Sequence, residues 1–152
     1  KEIHLFQSII KKDKFEWVLE KGTELGVSYF HPIISERSEK KNINFERARK
    51  IIKEASEQSG RRNLPSISEL INLENALNND FLSIAFHPTG DKFDKNNLEK
   101  EKVLGIFIGP EGGWSDRELG IFKEKGVSIL SLGRQILKAE TASIAISSMF
   151  LL

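Results

Sequence analysis

Val103-Leu104-Gly105-Ile106-Phe107-Ile108-Gly109-Pro110-Glu111-Gly112-Gly113 is the stretch whose reading decides the fold. Val103–Gly109 is apolar without alternation, which is the pattern of a central strand covered on both faces. It runs into a glycine-rich turn, and Ser115 with Glu118 three residues on makes a capping box for a helix that stops at Gly126. Val127–Leu132 then reads as another buried strand. Strand, glycine loop, helix and strand in that order are one unit of a parallel α/β sheet.

The same alternation continues outward in both directions. Glu2–Ile10 places Ile3, Leu5, Gln7 and Ile9 on one side and predicts a strand. Asp13 and Glu16 form a capping box, and Phe15, Val18, Leu19 and Leu25 recur at helical spacing until Gly26. Val27–Ile34 is rich in β-branched and aromatic residues and predicts a second strand. Asn44–Ser59 carries an apolar stripe of Phe45, Ala48, Ile51, Ile52 and Ala55, so it predicts an amphipathic helix. Ser66–Glu69 predicts a short strand, Leu73–Leu77 a short helix, and Phe81–Phe86 a strand ended by His87-Pro88 and a polar loop through Lys102. Ala139–Leu152 is apolar nearly all round, as expected of a helix buried against the sheet or a partner. The fold class expected is α/β with a largely parallel sheet.

Composition narrows the function. The 152 residues are 39% hydrophobic and 30% charged, the balance of a single globular domain. With no cysteine there is no disulfide, thiolate catalysis or thiolate-bound metal. No apolar run approaches the roughly 20 residues of a membrane span, and no signal peptide pattern is present, so the expected location is cytoplasmic. The chain opens on Lys1 and its only methionine is Met149, which reads as a domain cut from a longer protein. His4, His31 and His87 lack the spacing of a metal motif, and no metal is expected. Net charge is +1, but Arg37–Arg62 holds nine basic residues against four acidic ones. That local +5 is either a nucleic-acid footprint or a solvated helix face.

Ligands of open α/β sheets collect beyond the carboxyl ends of the strands. Three strands here end in unusual sequence: Phe86-His87-Pro88, Gly109-Pro110-Glu111-Gly112-Gly113 and Leu132-Gly133-Arg134. Each is either an ordinary turn or part of a ligand site. The middle loop fits no phosphate-binding pattern, and Glu111 repels phosphate, so a neutral or cationic ligand suits it better. An adenosine carrying a sulfonium meets that description. Trp17 and Trp114 read as packing residues rather than base-stacking platforms.

These residues resemble a known family. Ile108 to Gly113, then Leu132-Gly133-x-x-Ile136-Leu137-Lys138-x-Glu140-Thr141-Ala142, are similar to the bacterial methyltransferases that act on N3 of a uridine in 16S ribosomal RNA, members of the SPOUT superfamily. Lys21 to Val27, Ser35-Glu36-Arg37-Ser38, Glu57-Gln58-Ser59-Gly60-Arg61 and His87-Pro88 complete six matches in family order. The resemblance implies that residues 1–152 are one SPOUT domain whose sheet ends in a deep trefoil knot at the C-terminal side. It also implies a homodimer packed through the C-terminal helix, whose Ile144, Ile146, Met149, Phe150, Leu151 and Leu152 offer more apolar surface than one sheet face covers.

The resemblance further implies S-adenosyl-L-methionine bound by Phe86, His87 and Pro88, by Ile108, Gly109, Pro110, Glu111, Gly112 and Gly113, and by Leu132, Gly133, Ile136, Leu137 and Lys138. Two departures stand out: the family's N-terminal β-barrel RNA-binding domain is absent from this chain, and Lys138 stands where Arg is common. Arg37, Lys50, Lys53, Arg61 and Arg62 are expected to contact ribosomal RNA, with Arg37, Arg61 and Arg62 nearest the active site. Because N3 of uridine is an imide nitrogen, cations that stabilise charge on the uracil oxygens are the expected catalytic groups, and Arg37, Lys138 and Arg134 are the candidates. Glu140 either accepts the proton or caps the last helix. The alternatives are a related SPOUT enzyme for another RNA, a non-catalytic RNA-binding module, or another nucleotide-using α/β enzyme. The missing phosphate motifs argue against the last.

Overall fold

The computed structural model describes residues 1–39 and 41–152. Lys40, one of the nine basic residues of Arg37–Arg62, lies outside the described residues. In chain order the elements are β1 (Glu2–Ser8), α1 (Lys12–Leu25), β2 (Tyr29–Ile34), α2 (Phe45–Ser59), β3 (Ser66–Ile67), β4 (Ile71–Asn72), α3 (Leu73–Ala76), β5 (Leu82–Lys92), a 3₁₀ turn at Lys95–Leu98, β6 (Val103–Ile108), α4 (Asp116–Glu124), β7 (Ser128–Ser131) and α5 (Ala139–Leu151). The strands form one sheet in the order β3-β2-β1-β6-β5-β7, with β4 also on β2. Every pairing among the described residues is parallel.

The deciding strand sits where its sequence requires. β6 lies between β1 and β5, and its side chains enter two cores. Leu104, Ile106 and Ile108 join Ile3, Leu5, Phe15, Val18 and Ile146 on one face. Phe107 joins Phe6, Ile33, Trp114 and Phe122 on the other. Ile106 and Phe107 are fully buried, and each such side chain contributes roughly 1.5–3 kcal/mol relative to exposure. Helix α1 packs against both α2 and α5 on the first face.

Several expectations are corrected. Helix α1 has no side-chain cap from Asp13; the Lys11 N–H at its entry donates to the Glu111 carboxylate instead. Strand β5 does not stop at Phe86 but runs to Lys92, with an irregularity between Phe86 and Asp91, which both pair with Leu130. β7 is only partly buried, because it stands at the edge of the sheet and pairs on one side, with β5. β4 has two residues, too few for a periodicity to show. Gly90 lies so close to β7 that a Cβ there would stand 2.6 Å from the Leu130 carbonyl carbon.

Helix α5 is half covered. Ser143, Ile146, Ser147 and Phe150 are buried, whereas Met149 is 42% exposed and Leu152, just past the helix, 89%. The Ser147 hydroxyl donates to the Ser143 carbonyl one turn back, and the single Ser143 hydroxyl hydrogen lies between the Ala139 carbonyl and the Gln7 side-chain oxygen on β1. No helix among the described residues is long and apolar enough to cross a membrane.

Candidate functional site

Parallel strands bring their carboxyl ends to one edge of the sheet, and the Phe86–Pro88 stretch of β5, where its pairing with β7 shifts, joins the ends of β6 and β7 in enclosing a pocket there. Of the residues anticipated from sequence, Phe86, His87, Pro88, Ile108, Gly109, Pro110, Glu111, Gly113, Leu132, Ile136 and Leu137 line it. Trp114, Ser131, Gln135, Ala139 and Ala142 also line it and were not anticipated. Ala139 and Ala142 are three residues apart in the first turn of α5, so helical spacing could have found them.

The loop after β6 is held from three sides. Its own turn is closed by the Gly113 N–H donating to the Pro110 carbonyl at 2.9 Å, with Gly113 at φ +77°. A left-handed φ of this kind suits glycine and disfavours residues with a Cβ. Trp114 is buried, and its indole N–H donates to the Phe86 carbonyl at 3.2 Å, which ties the loop to β5. The Glu111 carboxylate accepts from Lys11 N–H at 2.9 Å. The guanidinium of Arg37 donates to the Gly112 carbonyl at 3.0 Å and to that of Trp114 at 3.4 Å. Beside Arg37, the Glu36 carboxylate belongs to a network in which Arg117 bridges Glu36 and Glu74 at 2.8 and 2.9 Å.

The lining chemistry is mostly apolar, with two titratable side chains, Glu111 and His87, and no lysine or arginine among the described lining residues. Burial, and then the positive charge of Arg37, hold His87 below the usual imidazole range, with Asp116 opposing them. Such a lining offers a polyphosphate no counter-charge. It suits a flat apolar group accompanied by a positive centre. Ile136 is 82% and Leu137 38% exposed, so the segment 132–138 presents apolar side chains at the pocket's mouth.

Some anticipated residues lie elsewhere. A side chain on Gly112 would meet Arg37 at 3.2 Å rather than the pocket, and Gly133 does not line it. Arg134 is exposed on the loop after β7. Lys138, at the entry to α5, borders a separate hollow with Asp13, Lys14, Trp17, Glu140 and Thr141. Glu140 is in the first turn of α5, buried, and 3.9 Å from Lys14.

The basic segment divides. Arg61 donates to the carbonyls of Thr23 and Val27 at 2.9 and 2.8 Å, just before β2 begins. It therefore sits at the amino ends of the strands, opposite the pocket, and its expected place beside the site is corrected. Gly60 and Arg61 follow α2 back to that edge, and Arg62 is exposed next to them. Arg47 pairs with Glu16 at 2.6 Å, while Lys50 and Lys53 face Glu54 and Glu57 at 3.9 and 4.0 Å on the exposed face of α2. Of the five residues assigned to RNA, Arg37 alone reaches the pocket loops.

A sequence model of the RNA methyltransferase domain matches residues 1–151. The ribosomal RNA small subunit methyltransferase E 2 of Borreliella burgdorferi is 38% identical over 94% of this chain and 63% of its own length. The ribosomal RNA small subunit methyltransferase E of Bacillus subtilis is 31% identical over 93% of this chain and 62% of its own. Among solved structures, the corresponding protein of Neisseria gonorrhoeae, bound to S-adenosyl methionine, superposes with a TM-score of 0.87 at 31% identity, covering 97% of this chain and 64% of that one. A methyltransferase from Legionella pneumophila with bound cofactor gives 0.91 at 34%, covering 98% and 65%. The chain thus spans a little under two thirds of these relatives.

Proposed function

The chain belongs to the RNA methyltransferase domain family, and from that premise we propose that it transfers the methyl group of S-adenosylmethionine to N3 of a uridine in 16S ribosomal RNA. The observation that carries this reading is the lining of the pocket, apolar walls with one carboxylate, one histidine and no lysine or arginine among the described residues, where the Phe86–Pro88 stretch of β5 meets the loops after β6 and β7. Phe86, Ile108, Leu132, Leu137 and Ala142 would hold the adenine and ribose, and Glu111 faces the positive end of the molecule. When bound, the sulfonium supplies an already activated methyl group. The protein's own task is positioning, together with stabilising the charge that develops on the uracil oxygens.

Arg37 is the cation best placed for that task. It reaches the glycine loop from outside the lining and is fixed there by two backbone carbonyls. Arg134 lies two residues before Ile136 of the apolar rim, and Lys138 contributes from its hollow only if a second copy brings another surface to it. A homodimer through the exposed side of α5, the threading of segment 132–138 into a trefoil knot, ribosomal RNA as partner and a cytoplasmic location complete the proposal. Small ribosomal subunits lacking the modification, incubated with the protein and isotopically labelled S-adenosylmethionine, test it. Label recovered as N3-methyluridine in 16S RNA supports the reading. Label on another base or none at all refutes it.

A further inference from the structure

His87 has a feature that its place in the pocket wall does not explain. The backbone N–H of Thr89 donates to His87 Nδ1 at 3.2 Å, and the Thr89 hydroxyl lies 2.7 Å from the same nitrogen. A backbone N–H can only donate, so Nδ1 must be the acceptor, and the ring proton of the neutral imidazole resides on Nε2. A doubly protonated ring would set two N–H groups against each other. Nε2 lies on the pocket side, 3.8 Å from where a Cβ on Gly113 would stand, and the preceding residue, Gly112, carries the contact with Arg37. The charge of Arg37 disfavours a second proton on the imidazole and that of Asp116 favours it. A fixed neutral donor and a fixed cation thus flank two adjacent glycines.

We infer that His87 is a substrate-contacting hydrogen-bond donor, its Nε2–H aimed at a uracil carbonyl next to N3 and working together with Arg37. This rests on the methyl-transfer reading above. Uracil N3 passes its proton to solvent water and bonds the methyl carbon, while the pair that joined carbon to sulfur stays with sulfur. As the N3 proton leaves, negative charge spreads to the two flanking carbonyls, and a preorganised donor there is stronger in the transition state than before it. His87 takes no proton, because its pocket-facing nitrogen already holds one. The Thr89 amide is what keeps it so.

The test uses the intact protein with undermodified small subunits. Nitrogen-15 spectra of the imidazole should show the Nε2–H tautomer in the free protein at neutral pH; the Nδ1–H tautomer overturns the proposal. His87→Phe should lower the rate at saturating cofactor about 100-fold, the low end for one such donor, whatever it does to cofactor affinity through the pocket wall. His87→Gln, which returns an N–H near the Nε2 position, should recover most of the rate without altering the pH profile. Equal loss in both variants, or a loss in His87→Phe that saturating cofactor restores, overturns it. A wild-type protein that binds cofactor but methylates no ribosomal RNA is a different result, since it removes the functional reading before any variant is compared.

Discussion

The Glu111 carboxylate accepts the Lys11 amide hydrogen at 2.9 Å, joining residues a hundred positions apart. One of them belongs to the pocket loop and the other opens α1, whose first turn has no side-chain cap of its own. The first amides of a helix need acceptors, and a carboxylate at that end also meets the positive end of the helix dipole. A residue that reads in sequence as a deterrent to phosphate is therefore also the cap of a distant helix. Glu111→Ala should lower stability by about 1 kcal/mol, as removal of a capping acceptor does, in chemical unfolding followed by circular dichroism. Glu111→Gln keeps an acceptor and should restore most of that stability while still weakening a cationic ligand.

Gly90 is the point where β5 passes closest to β7. A methyl group there would stand 2.6–2.7 Å from the backbone of Ile129 and Leu130, which cannot turn aside as a flexible side chain can. Gly90→Ala should cost about 1–3 kcal/mol, the usual range for forcing an extra carbon into packed structure. Because Ser131 and Leu132 continue from that backbone into the pocket, cofactor affinity should fall with stability. A variant with unchanged melting temperature would show that the two strands part without penalty.

His31 titrates well below an exposed histidine. Burial, then the neighbouring His4 at 2.9 Å, push its pKa down to about 4, from an ordinary value near 6.5. The unfolded chain thus binds more protons than the folded one across that interval, and stability rises with pH there. Its contribution is complete above about pH 6.5 and is lost as the pH falls toward 4. Thermal unfolding between pH 4 and 7 should show this slope, and His31→Phe, which retains a ring to stack on Phe6, should flatten it. An identical slope in the variant would assign the acid sensitivity to other groups.

The basic segment separates into structural and exposed parts. Arg61→Ala removes two hydrogen bonds from a charged donor to carbonyls at the amino ends of the strands and should cost about 1.5 kcal/mol without changing the salt dependence of RNA binding. Reversing Lys50 and Lys53 should leave stability within a few tenths of a kcal/mol, since exposed i,i+4 pairs contribute little. If these lysines neutralise RNA phosphates, the double reversal makes log affinity fall less steeply with log salt, by about 0.7 to 0.9 in slope for each phosphate left unneutralised. An unchanged slope makes the stripe a solvated face.

Much of this was legible in the sequence because burial on two faces leaves a plain pattern. Val103–Ile108 could only be central, and Ser115 with Glu118 does form the capping box. The pocket was legible as three strand ends, since parallel strands must deliver their ends to one edge. What escaped has a common cause in long-range interactions. Asp13 and Glu16 have the spacing of a capping box, yet the acceptor for α1 comes from Glu111. Arg61 belongs to a basic run, yet carbonyls at the far end of α1 claim it. His87-Pro88 reads as a strand end, yet pairing with β7 resumes at Asp91 and extends β5 to Lys92.

The central claim is that this pocket holds a sulfonium-bearing adenosine, and calorimetric titration tests it most directly. S-adenosylmethionine should bind at one site per chain, ATP and NAD should not compete, and the complex should raise the melting temperature as a ligand of the folded state must. Failure of S-adenosylmethionine to bind, or its displacement by ATP, would contradict the account.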